Sequence, residues 1–246
     1  WNDIIQWTNF YSTDKVVVTS QKLTGYASSS IGDISLDCAT TRNGDICISQ
    51  GNYAVTNDGS GSLSGWGWID AIGWFSFACA NHGGCGISYR TYIDASGHFQ
   101  NYAWNDVIGW ISFNCANTGG CATSNYKVVT SWIPAPVTGY LDSTTFDTQL
   151  ALGVQLNAVL WQGAQPVGTS VRFQFAGSNA SGGPWSFIGP DGTGNSYYDV
   201  GPNIPLKLDY SFHNNQRYFR YRITLVSNQT QTLTPRVDDV IVSWSP

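Results

Sequence analysis

The 246-residue chain has no glutamate and no methionine, and all sixteen of its acidic residues are aspartate. Those two residues are good helix formers, whereas aspartate, asparagine, glycine, serine and threonine favour turns. No 10-residue window carries a convincing 3.6-residue periodicity. Charge is also scarce: 11% of residues are charged and the net charge is −5, so no basic patch exists to displace counterions from phosphates, which excludes nucleic acid. No run of 18 apolar residues occurs, so no helix of this sequence spans a bilayer. Three histidines, His82, His98 and His213, lie apart from any nucleophile motif. There is no Gly-x-Ser-x-Gly elbow, P-loop or His-Glu-x-x-His, and the adjacent Asp238 and Asp239 would point to opposite faces of a strand. These absences read as a protein that is not an enzyme and holds no cofactor. The chain begins at Trp1 without an initiator methionine, which reads as a processed or cut terminus with any targeting signal upstream.

What is present is β-type and repetitive. Aromatics make up 14% of the chain, and valine and isoleucine are plentiful. The stretch "AWNDVIGWISFNCANTGGC", ending at Cys121, has a near copy in "GWIDAIGWFSFACANHGGC", ending at Cys85. A degraded copy, "ASSSIGDISLDCATTRNGDIC", ends at Cys47, and a fragment, "WNDIIQWTNF", opens the chain. The shared isoleucine falls at Ile5, Ile31, Ile72 and Ile108, a spacing that marks stacked supersecondary units. Tryptophans six apart flank it as Trp1/Trp7, Trp68/Trp74 and Trp104/Trp110, and on this alignment the degraded copy has Ala27 and Asp33 instead. Each unit reads as a hairpin with an Asn/Asp/Gly turn that brings its two indoles together on one face. Ile111 and Phe113 then point to the face opposite Trp110 and Ser112. One unit cannot hide both faces, and stacking with neighbours can. Exposed, these indoles would suit carbohydrate binding, and buried they would be the core; their strict link to the cysteine pairs favours the core.

Six cysteines in three close pairs fit an oxidising compartment. Pairing within each repeat, Cys38–Cys47, Cys79–Cys85 and Cys115–Cys121, is the economical choice. Zinc is the rival reading, with His82 inside one loop, although tighter Cys-x-x-Cys spacings are usual for that metal. In "PDGTGN", Asp191, Thr193 and Asn195 form a fragment of an oxygen-ligand calcium loop, for which a plain Asp/Gly turn accounts equally. Sequons stand at Asn179 and Asn228.

"SWIPAPVTGY" marks a boundary, because its prolines stiffen an extended linker and cannot continue a sheet. The organisation expected is therefore tandem repeats over 1–132 (about 1–24, 25–64, 65–100 and 101–132), a linker at 133–136, and an antiparallel jelly-roll-like β-sandwich over 137–246. The fold class is all-β. In "RYFRYRITL", Phe219, Tyr221, Ile223 and Leu225 share one face. Tyr218, Arg220 and Arg222 on the other form a candidate glycan-binding platform, or else a sheet face packed by its neighbours.

With these motifs in hand, the repeats resemble the tandem "GYAW…IGWISF…C…C" units of surface proteins from uncultivated, small-genome bacteria of the candidate phyla radiation. The tail, "GPWSFIGPDGTGNSYY" with "HNNQRYFRYRITL" and "TPRVDDVIVSWSP", resembles the C-terminal β-sandwich of prepilin-like extracellular proteins. The resemblance implies a bacterial cell surface more than any activity. Together with low charge and disulfide staples, it points to a structural protein: a subunit of a pilus-like or other filament or surface assembly. Its partners would be copies of itself or other surface proteins. The alternative is an adhesin or lectin-like module that binds glycans. The opening fragment, with Trp1, Ile4, Ile5 and Trp7, carries a hairpin without cysteines and is the candidate assembly segment, docking by β-augmentation or else capping the stack within one molecule.

Overall fold

A computed structural model describes residues 1–13 and 15–246. It divides into two compact units, Trp1–Ala135 and Pro136–Pro246, a division that falls inside the 133–136 linker. The chain is all-β, and among the described residues the only α-helical turn is Cys47–Gln50.

In the first unit each repeat contributes a hairpin: β1 (Tyr26–Ser29) with β2 (Gly32–Ser35), β3 (Leu63–Ile69) with β4 (Gly73–Ser76), and β5 (Tyr102–Asn105) with β6 (Gly109–Ser112). Register places Trp68 opposite Trp74 and Trp104 opposite Trp110. In the first hairpin the pair is Ser28 opposite Asp33, not Ala27, because its turn is one residue shorter. Consecutive hairpins join at one bridge each, Ser35 to Trp68 and Ser76 to Trp104. A second tier of short strands, including 55–57 paired with 63–65 and 92–93 paired with 99–100, lies against the hairpins.

The chain passes from one tier to the other through a left-handed residue, Gly25, Gly65 or Asn101. At Gly65 (φ +77°) a Cβ would sit 2.1 Å from the Ala54 carbonyl oxygen, so glycine is required. At the matching position Asn101 adopts φ 65°, and its Nδ2 donates to the Arg90 carbonyl at 3.0 Å. The cysteine loop secures each bend. Asn81, in "CANH", donates to the Gly65 carbonyl and accepts from the Gly65 N–H at 2.6 and 3.0 Å. Asn117 does the same for Asn101 at 2.7 and 3.0 Å. In the first repeat Thr40 accepts from the Gly25 N–H.

Alternation along the strands fills the space between the tiers with Phe75, Phe77, Phe99, Phe113, Leu36, Val55 and Ile93, all buried. Three disulfides close the loops as Cys38–Cys47, Cys79–Cys85 and Cys115–Cys121. Zinc therefore has no thiolates to bind there. Because the Cys115–Cys121 bridge holds the loop that carries Asn117, replacing both cysteines by serine is expected to cost about 2–3 kcal/mol. Urea melts of the first unit would register it, and a loss under about 0.5 kcal/mol would show that the loop holds the bend without its bridge.

The second unit is a pair of antiparallel sheets. One centres on β7 (Thr138–Asp142), β9 (Ser170–Ser178) and β10 (Tyr218–Val226), and the other on β8 (Gln155–Ala164) and β11 (Arg236–Ser245). Their inner faces meet over Val159, Trp161, Val171, Phe173, Phe175, Phe219 and Ile223. Trp161 is fully buried, and its Nε1–H is satisfied by the Val200 carbonyl at 2.8 Å. Phe219, Tyr221, Ile223 and Leu225 face this core together, as their alternation predicts.

Candidate assembly and recognition surfaces

The opening segment pairs within its own chain. Trp1 and Ser112 exchange two backbone hydrogen bonds at 2.7 and 2.9 Å, although they are 111 residues apart. Asn9 and Ser28 exchange two more at 2.8 and 2.9 Å. Residues 1–9 thus occupy the place of a hairpin between β6 and β1, and the row of hairpins closes into a ring. The four joints are equivalent: Trp1 with Ser112, Ser28 with Asn9, Trp68 with Ser35, and Trp104 with Ser76. Asn2 repeats what Asn105 does inside the stack. Asn105 accepts from the N–H groups of Val107 and Ile108 and donates to the carbonyls of Ile72 and Trp74. Asn2 accepts from Ile4 and Ile5 and donates to Ile108 and Trp110. Of the four candidate assembly residues, Ile5 is buried in the core while Trp1, Ile4 and Trp7 remain exposed. The strand edge expected to recruit a neighbour is already filled by the chain itself.

The repeat tryptophans are not the core, contrary to the reading of the sequence. Trp74 is 41% exposed, Trp110 36% and Trp7 53%, because alternation gives the inward positions to Phe75, Ile111 and Phe113. Each exposed indole meets a tyrosine that follows the cysteine loop of the preceding unit. The pairs are Tyr53–Trp74 at 5.1 Å, Tyr89–Trp110 at 5.0 Å and Tyr126–Trp7 at 5.2 Å between ring centroids, all edge to face. The hairpin partners Trp68 and Trp104 add a second ring at 4.6 Å, and Trp1 does so at 6.3 Å. Their orientation is locked where Trp68 Nε1–H donates to Asp70 and Trp104 Nε1–H to Asp106, each at 2.8 Å. Tyr53 and Tyr89 bond Ser35 and Ser76 through their hydroxyls, and burial pushes both phenols above their usual range.

Beside these rings lie three hollows. One of about 320 Å³ is lined by Gly51, Asn52, Tyr53, Trp66 and Trp74. The next, about 250 Å³, includes His82, Tyr89, Trp104, Asp106 and Trp110. The third, about 640 Å³, runs from Trp1, Trp7, Asn125 and Tyr126 to Val16 and Val128. His82 stacks edge-on against Trp66 at 5.0 Å.

In the second unit Tyr218, Arg220 and Arg222 share a face but are engaged by neighbours. Arg222 binds Asp142 through two hydrogen bonds at 2.6 and 2.9 Å, which hold that carboxyl below its usual range. Its guanidinium also lies 4.4 Å from the Phe187 ring centroid and 4.6 Å from that of Tyr140. Arg220 donates to the Ser143 carbonyl at 2.7 Å and lies over Trp185, while Arg217 covers Tyr218 at 5.1 Å. Asp191 accepts from the hydroxyls of Ser196 and Thr193 and from the Thr193 N–H, all within its own turn, which lowers its pKa. Asn195 gives its backbone N–H to the Thr193 hydroxyl at 3.2 Å. Among the described residues no three His, Cys, Asp or Glu side chains converge as a metal site would require.

No family model, curated protein or solved structure matches this chain.

Proposed function

We propose that this protein is a structural subunit of an extracellular assembly on a bacterial surface, joined to its neighbours by exchange of residues 1–9. The observation that carries the reading is the closing joint. Both backbone partners of residues 1–9, Ser28 and Ser112, lie later in the chain, outside the segment itself. A joint with the same hydrogen bonds forms when the segment comes from a second copy, so exchange costs little at equilibrium. The three disulfides support an oxidising, exterior setting. The scarcity of charge supports durability over turnover, and the resemblance of the repeats supports the bacterial surface.

Full-length protein is therefore expected to elute as a ladder of sizes as concentration rises. An excess of a synthetic peptide spanning residues 1–9 should collapse that ladder to the monomer by occupying the slot between β6 and β1. A single monomeric peak at every concentration would refute assembly. A ladder indifferent to the peptide would refute the exchange and leave association through other strand edges.

A further inference from the structure

We propose that the three aromatic hollows at corresponding joints of the ring, at Tyr53/Trp74, Tyr89/Trp110 and Tyr126/Trp7, are binding sites for neutral pyranose saccharides. The alternative is that these rings merely glue one hairpin to the next, and the fourth joint argues against it. Between Asn9 and Ser28 the same two backbone bonds form at 2.8 and 2.9 Å. There the tryptophan positions are Ser28 and Asp33, with Asp33 held instead by Arg42 at 2.9 Å. Closing a joint needs no indole. The ring's interior does not need them either, because phenylalanines and aliphatic residues fill it. Yet in three of four places the chain leaves a tryptophan between 36 and 53% exposed beside a fixed tyrosine, over a hollow.

The chemistry of the hollows selects the ligand. In the second hollow Trp104 has its Nε1–H already spent on Asp106, so this indole offers π surface and no free donor. Sugar rings with equatorial hydroxyls expose C–H faces that rest on such surfaces, while their rim of hydroxyls seeks hydrogen-bonding groups. Asn52 supplies these in the first hollow, His82 and Asp106 in the second, and Asn125 in the third. The chain's net charge of −5 disfavours acidic sugars. Three sites on one ring would act together on a glycan-coated surface.

The test is titration of the full chain with chitotetraose and with cellotetraose, followed by tryptophan emission and calorimetry. One of them is expected to bind at three sites per chain with a Kd of about 1 mM or tighter. Trp110→Ala should reduce the stoichiometry to two. Joint replacement of Trp7, Trp74 and Trp110 by alanine should abolish binding, and the corresponding phenylalanine variant, which keeps a ring and guards against misfolding, should weaken it about tenfold. Retention of on-column sizes and of all three disulfides would certify the variants. No saturable response to either sugar, or binding that survives the triple replacement, would overturn the proposal. Neither result bears on the size ladder, so the failure of one reading does not imply failure of the other.

Discussion

Phe113→Ala is expected to destabilise the first unit by about 3–5 kcal/mol, a large share of the stability of a domain this size. Phe113 is 2% exposed and stands where the ring closes. Its ring centroid lies 5.7 Å from Phe77, 5.8 Å from Phe99 and 5.8 Å from Phe10, so it touches an earlier repeat, its own repeat and the opening segment. Its backbone also bonds Asn101 and Val128. Collapse around the missing ring would have to move three elements at once, which places the expected loss toward the upper end of the range. Urea melts followed by far-ultraviolet circular dichroism would measure it. Phe113→Leu, which keeps most of the volume, should cost less than about 1.5 kcal/mol. A loss below about 1 kcal/mol for the alanine variant would mean that the ring does not close over this residue.

Acidification should weaken the second unit through His213. This imidazole is 2% exposed, its Nε2 has no hydrogen-bond partner, and its neighbours include the rings of Phe175 at 5.9 Å and Tyr198 at 6.1 Å. Burial pushes its pKa down from 6.5 to about 4, with the Asp209 carboxylate pulling weakly the other way. The unfolded chain therefore takes up a proton as the pH falls through 6.5, whereas the folded unit refuses it until about 4. Stability is complete above pH 6.5 and declines between 6.5 and 4, by about 3 kcal/mol in all at 1.36 kcal/mol per pH unit. Asp142 and Asp147, whose pKa values are lowered by Arg222 and Arg217, lose their contribution only below the ordinary carboxylate range, a separate window. Melts of His213→Leu should be flat from pH 6.5 to 4.5, and an unchanged slope in that variant would assign the acid sensitivity elsewhere.

Local patterns in the sequence transfer well to the structure. Alternation in "RYFRYRITL" identifies the buried face of β10, and the short spacing of the cysteines identifies their partners. Tryptophan is misplaced because its link to the cysteine pairs suggests a core role, whereas the period of two sets it on the face opposite Ile111 and Phe113, which take the inside. Aligning the copies on isoleucine shifts the first hairpin by one, since a shorter turn is invisible until the register is known. The role of Asn81 and Asn117 is hinted at by "CAN" recurring after two of the strands. Its target, a bend residue sixteen positions earlier, is not. Nor does the opening fragment announce its partner: the bond from Trp1 to Ser112 is a long-range pairing that composition and periodicity do not encode.

A row of stacked modules can grow by duplication without disturbing what is there. A circle cannot. Here the last hairpin meets the opening segment, which meets the first, so a further copy would have to widen every joint or leave the circuit broken. The number of sectors is thereby set by the closure itself, and removing or adding one hairpin would leave a pair of strand edges without partners.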